Sequence, residues 1–350
     1  MEYKYSLLPT YMTSFKSIKE ILMKFKPLLA SLCVALPLLA TSAEVLAARV
    51  TLKLAHNLDQ SHVVHQALDQ LAKDLKEKSN GELNLRIYPS SQMGGPRETI
   101  EMVQNKALDM TKASASELEP FVSEFAIFSL PYLFSDEEHF KRVLFGPIGE
   151  QITAKSQDSG FKIIASYVAG TRSFYAKKPI HSPADLKGMK IRVVPTPTTN
   201  KSMELLGASP VPIPFGEVYT AIQQGVIDGA ENNIPSYYQT RHVEVAKFYS
   251  QDERVSVPDY LVIANSTWNK LSPEQQTLLM QAAKDSEILQ QKLWDEEVIR
   301  SKTESEKLGA TFIEVDKQPF RDALAPIYDD FAKDPNLSTL MEAIKAEEAK

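Results

Sequence analysis

From residue 50 onward the chain alternates between two hydrophobic periods. Val50 to Ala55 sets apolar against polar positions one by one, the pattern of a half-buried strand. His62 to Lys78 repeats its apolar residues at helical spacing and stops at Asn80-Gly81, a common helix end. Leu83 to Tyr88 alternates again, and Met93-Gly94-Gly95-Pro96 turns the chain into a helix predicted over Arg97 to Lys106. Leu108 to Thr111 follows as a third strand, running into Lys112-Ala113-Ser114-Ala115-Ser116-Glu117. This β-α-β-α-β order predicts a mostly parallel sheet covered by helices. Aromatic, irregular Phe121 to Phe134 reads as core, Asp136 to Val143 as helix, and Phe161 to Tyr167 as a strand leading into Ala169-Gly170-Thr171-Arg172.

Lys187 to Asn233 forms most of a second α/β unit. A short apolar strand around Ile191 to Val194 carries Arg192 and meets a Pro/Thr break. A helix ending at Gly207, a Pro-rich extended run and a helix from Phe215 come next. A strand over Val226 to Gly229 would then deliver Glu231 and Asn232. Val257 to Ala264 predicts a strand crossing back, and Ser272-Pro273-Glu274 opens a long amphipathic helix reaching Leu308. A helix of that length in a two-unit chain is expected to span both units. Thr311 to Val315 is a short strand and the remainder is helical.

The length, 350 residues, accommodates two domains with real cores. The first 47 residues stand apart. Lys24 and Lys26 precede an apolar run, Pro27 to Ala40, which falls short of the roughly 20 residues a membrane span needs. With Val45-Leu46-Ala47 behind it, this is the order of an export leader cleaved after Ala47, with extra sequence before Met23. The one cysteine, Cys33, falls inside that leader, so the mature chain is expected to be without thiol chemistry or disulfides. Removing the leader leaves 34 basic against 42 acidic residues, a mildly acidic balance that argues against nucleic acid as a partner.

No nucleophile elbow, phosphate loop, dinucleotide turn, metalloprotease helix or calcium loop occurs, and no acid/base carboxylate pair is identifiable. An enzyme is therefore not expected, nor a cofactor. His62 and His65 share a helical face but have no third ligand, so no metal site is expected. Asn57 and Ser61 sit where helix caps sit. Two arginines remain, Arg172 and Arg192, each beside or within a short strand. A guanidinium fork matches a carboxylate bidentately, so each suits either a ligand carboxylate or a structural ion pair. Spacing alone leaves both readings open.

Ordered motifs run through nearly the whole mature chain: Pro89-Ser90-Ser91-Gln92-Met93-Gly94, Phe128-Ser-Leu-Pro-Tyr-Leu133, Gly170-Thr-Arg172, Lys190-Ile-Arg-Val193, Gly207-Ala-Ser-Pro210, Pro214-Phe-Gly-Glu-Val-Tyr219 and Asp228-Gly-Ala-Glu-Asn-Asn233. On these residues the chain resembles the solute-binding proteins of tripartite ATP-independent periplasmic (TRAP) transporters. The resemblance implies a two-lobed α/β periplasmic-binding-protein fold with crossing strands and a long C-terminal helix spanning both lobes. Lobe I would comprise 48–169 with about 258–298, and lobe II 170–257 with about 299–350. It implies a monomeric periplasmic protein that closes on a small carboxylate and delivers it to sodium-driven membrane subunits. By position, Arg192 resembles the family's carboxylate clamp and Arg172 its second cleft arginine. Asn232 matches a cleft asparagine, Phe215 a cleft aromatic and Asn57 a first-lobe contact. Ser114 and Glu117 stand where sialic-acid members carry an acid and an arginine, which argues against sialic acid. Glu231 to Tyr238 is similar to members that bind hexuronates and aldonates, and Phe215 or Tyr237 is the residue expected to stack on the apolar face of a sugar. Another carboxylate, such as a C4-dicarboxylate or sialic acid, and an ATP-driven importer remain the alternatives.

Overall fold

The computed structural model describes residues 49–348; the leader expected over residues 1–47, with Cys33, lies outside them. The first sheet holds β1 (Val50–Ala55), β2 (Leu83–Tyr88), β3 (Met110–Ser114), β4 (Phe161–Tyr167) and β10 (Asp259–Ala264), in the order β2-β1-β3-β10-β4. The second holds β5 (Thr171–Ala176), β6 (Lys190–Val193), β7 (Ser209–Pro212), β8 (Gly229–Asn232), β9 (Phe248–Ser256) and β11 (Thr311–Glu314), in the order β11-β9-β5-β8-β6-β7. Strand β1 runs parallel to β2 and β3, as the alternating pattern predicts. Helix α1 (Val63–Lys78) buries Val64, Leu68, Leu71 and Leu75 in the core of this first unit, one per turn.

Three strands depart from their hydropathy, and each departure places a polar group. Strand β3 continues past Thr111 to Ser114, every residue buried. Lys112 is tolerated because Asp259 on β10 pairs with it at 3.0 Å, and Thr111 Oγ1 donates to Ala55 O. Strand β8 lies over Gly229–Asn232 rather than Val226–Gly229, so Glu231 and Asn232 are within the sheet. Gly229 is required where it begins: a Cβ there would stand 2.4 Å from Tyr175 O on the neighbouring strand. Strand β9 has no counterpart in the sequence expectation, because its centre is Gln251-Asp252-Glu253-Arg254. Asp252 and Arg254 are nonetheless buried, bonded to each other at 3.0 Å.

The two sheets are joined by continuous chain. Strand β4 leads into β5, β9 into β10, and the 35-residue helix α2 (Pro273–Lys307) into β11. Gly170, between β4 and β5, has φ +61, and Trp294 of α2 lies 3.3 Å from where its Cβ would be. The amphipathic pattern expected of α2 holds only at its start. Leu279, Ala282 and Ala283 pack under the first sheet, but the buried stripe continues as Ser286, Gln290, Trp294, Glu297, Ser301 and Ser305. The polar change has a cause: Gln290 accepts from Val168 N (3.2 Å) and donates to Val168 O (2.7 Å), satisfying backbone where the chain crosses. Residues 299–350 do not all stay with the second sheet as expected. Helix α3 (Pro335–Glu347) returns to the first unit, where Leu340, Met341 and Ile344 join Phe128, Phe140 and Val143 in one core.

Candidate functional site

The carboxyl ends of parallel strands β1, β3, β6 and β8 and the amino ends of β5 and β10 come together at one cleft, the usual place for a ligand in an open α/β sheet. A cavity of about 50 Å³ sits there. Asn57, Ser114, Glu117, Arg172, Arg192, Phe215 and Asn232 all line it. Seven of the eight residues singled out by sequence are therefore brought together.

Arg172 is engaged by the protein. Its Nε donates to Glu231 Oε2 at 2.7 Å and its Nη2 to Glu231 Oε1 at 2.8 Å, a bidentate fork. Nη2 also donates to Glu231 O, and Nη1 to Asn232 Oδ1, each at 2.9 Å. Arg254 adds a second cation to Glu231 at 3.0 Å. Burial opposes charge on both partners. The Arg172 pKa nonetheless rises because Glu231 favours its protonated form, and the Glu231 pKa falls because Arg172, Arg254 and Arg192 favour its anion.

Arg192 stands differently. It is 4% exposed, its Nε donates to Ile213 O at 3.0 Å, and its guanidinium carbon lies 5.6 Å from the Phe215 ring centroid. Among the described residues no carboxylate comes within 4.0 Å of it. Burial lowers its pKa, with the positive charge of Arg172 acting in the same direction and the more distant Glu231 against it. Phe215 is fixed from behind by His242, ring centroids 5.6 Å apart and nearly perpendicular.

The first unit supplies polar groups to the facing wall. Ser114 and Glu117 form a reciprocal helix cap: Glu117 Oε2 accepts from Ser114 N, and Ser114 Oγ accepts from Glu117 N. Asn57 does not cap a helix; that place is taken by His62, whose Nδ1 accepts from Val64 N, and Asn57 Oδ1 is buried with no partner among the described residues. Asn232 spends its Oδ1 on Arg172 and on Asn233 N, which leaves its amide nitrogen for the cavity.

Tyr237 is the exception. It is fully buried among Tyr175, Tyr249 and Phe312, and its hydroxyl donates to Ala246 O at 2.6 Å. A ring in that layer cannot stack on a sugar, since core packing already covers both faces. Sequence reasoning missed His62, Lys112 and Asp259, which line the cavity. Lys112 and Asp259 read as a strand end and a strand start, and only the β3–β10 pairing joins them. A larger space of about 570 Å³, lined by Tyr132, Asp136, Trp294, Lys317 and Arg321, gathers none of the buried unpartnered polar atoms of the described residues. The smaller cleft is the candidate site.

Residues 54–334 match the family of bacterial extracellular solute-binding proteins, family 7. A solute-binding protein of Roseobacter denitrificans is 35% identical over 92% of this chain and 96% of its own. A TRAP periplasmic solute-binding protein of Xanthobacter autotrophicus, solved with bound β-D-galacturonate, is 38% identical and superposes with a TM-score of 0.83 over 84% of this chain and 99% of that one. One from Anaerococcus prevotii, solved with bound D-glucuronate, is 35% identical, with a TM-score of 0.84 over 86% of this chain and 99% of that one.

Proposed function

The chain belongs to the bacterial extracellular solute-binding proteins of family 7, and from that premise we propose that its cleft captures a hexuronate in the periplasm for a TRAP membrane permease. The observation that carries this reading is the charge balance of the cleft. Arg172 is matched by Glu231 and Lys112 by Asp259, and the Glu117 carboxylate accepts from Ser114 N, while Arg192 is buried with no carboxylate within 4.0 Å among the described residues. An unmatched buried cation is costly, so a site built this way favours an anion of single charge. The ligand carboxylate would take the guanidinium fork of Arg192, and the apolar face of the sugar would lie against Phe215. Asn232 and Asn57 would read hydroxyls, which discriminates sharply because an unmatched buried polar group is penalised.

Galacturonate and glucuronate in the similar structures support the hexuronate class over a C4-dicarboxylate. The departures at Ser114 and Glu117 weigh against sialic acid. Binding across both units would favour a closed state by population shift, with no bond made or broken. Export through a leader cleaved after Ala47 belongs to the same proposal.

A thermal-shift series followed by calorimetry tests it, since a ligand stabilises the native state by RT ln(1 + [L]/Kd). D-galacturonate and D-glucuronate should raise the melting temperature; succinate and sialic acid should not. The reverse pattern would overturn the hexuronate assignment. Uptake that collapses with the sodium gradient, rather than with ATP, would separate a TRAP permease from an ATP-driven importer.

A further inference from the structure

We propose that His62 is a specificity-determining residue whose Nε2–H donates to a hydroxyl of the bound sugar acid, with Asn57 Oδ1 accepting beside it. The inference rests on the hexuronate reading and adds a reader that no motif in the sequence signals.

The tautomer follows from the helix end. His62 Nδ1 accepts from Val64 N at 3.2 Å, so Nδ1 carries a lone pair and the proton of the neutral ring sits on Nε2. That proton has no acceptor among the described residues. The residue is 3% exposed, Nε2 is buried and unpartnered, and the side chain lines the cavity with Asn57, Lys112 and Asp259. The charged and titratable groups nearest the ring are Asp259 and Lys112 from the paired strands, and Asp59 and His65 from its own segment. His65 is itself engaged with His56, Nδ1 to Nε2 at 3.0 Å, and Lys112 Nζ with Asp259 Oδ1.

Capping alone does not account for a histidine here. Asparagine caps a helix at least as well and is shorter, so it would leave no orphan donor in the cavity. Desolvating a donor without a partner is unfavourable, and a ligand hydroxyl removes that penalty on binding. Asn57 Oδ1 has the complementary deficit, a buried acceptor with no donor. One donor and one acceptor on side chains that line the same cavity suit the vicinal hydroxyls of a sugar.

Two variants separate the roles of the ring. His62→Asn keeps an acceptor where Nδ1 lies and removes the reach of Nε2; His62→Gln carries a donor nitrogen near the position of Nε2. Calorimetry with D-glucuronate, D-galacturonate and their monodeoxy analogues reads the effect. The expected result is a melting temperature near wild type for His62→Asn, with affinity weakened at least about tenfold. His62→Gln should retain more of the affinity. For one deoxy analogue, wild type and His62→Asn should bind alike, because the hydroxyl that Nε2 serves is gone. Binding of both hexuronates by His62→Asn within about twofold of wild type would overturn the inference alone. Failure of the wild type to bind either hexuronate would overturn the ligand reading and this inference with it. Should His62→Asn not fold, the deoxy series on wild type and His62→Gln decides, since equal losses across all positions would leave no hydroxyl for His62.

Discussion

Arg172 sets Nε and Nη2 on the two oxygens of Glu231, at 2.7 and 2.8 Å, so the fork of this arginine is filled from within the protein. Arg192, twenty residues on, has the same chemistry and no such partner among the described residues. The two arginines that spacing alone leaves alike divide into one paired with a carboxylate of the protein and one with none within 4.0 Å among the described residues, and separate consequences follow.

Arg192→Ala should lose affinity by about 2–5 kcal/mol, roughly thirty- to several-thousand-fold, while the melting temperature stays within a few degrees of wild type. Arg192→Lys should also bind poorly, because a point charge does not replace the fork. Arg172→Ala should instead unfold more easily, by about 3–5 kcal/mol, since Glu231 would keep only Arg254 in a buried setting. Urea denaturation beside calorimetry checks both; equal affinity losses with intact stability would make the arginines co-equal clamps.

Tyr237→Phe should leave hexuronate affinity unchanged and reduce stability by about 1 kcal/mol. The hydroxyl donates to Ala246 O inside the core, and that bond is all the substitution removes. A tenfold loss of affinity would restore Tyr237 to the site.

Glu119 reaches from the first unit to the helix Pro197–Leu205 of the second, its Oε1 accepting from Thr198 N at 3.1 Å and from Thr198 Oγ1 at 2.7 Å. It does not line the ligand cavity. Glu119→Ala should weaken binding about five- to tenfold by favouring the open state. Small-angle scattering of the ligand-saturated variant should show a larger open fraction, and an unchanged affinity would make the contact incidental to closure.

Burial lowers the His62 pKa from 6.5 to about 4. The unfolded chain takes up a proton near 6.5 that the folded chain refuses until about 4. The associated stability is intact above the upper value and falls as pH drops through that window, by up to ~3 kcal/mol. His56 and His242, each lowered to about 3 and by burial first, extend the decline further. Denaturation at steps from pH 7 to pH 4 should show His62→Asn losing less stability than wild type. Parallel curves would remove His62 from the acid response.

The cleft was legible wherever chemistry coincided with strand ends. Arg192 stands out as a cation within a short strand beside Ile191 and Val193, and Asn232 as a polar residue at the end of another. Asn57 is legible as a polar residue just past β1, although capping explains it equally well until His62 is seen to hold that place. Tyr237 was misplaced because an aromatic in a polar run looks exposed, and no local signal places it against Tyr175 and Tyr249. Strand β9 escaped because Asp252 and Arg254 neutralise each other within the sheet, and hydropathy scores each one alone.

By itself the sequence determined most of the alternation of strands and helices, which follows from periodicity, a local property of the chain. Seven of the residues that line the cleft were named from the family resemblance, not from spacing. The tertiary structure alone decided which charges cancel. Glu231 meets Arg172 from 59 residues away, and Asp259 meets Lys112 from 147. Whether a buried cation is structural or free depends on what lies within a few ångströms of it, because desolvation makes each unmatched charge costly. That distance is fixed by the pairing of strands remote in sequence, and it is what leaves Arg192 with no carboxylate within 4.0 Å among the described residues.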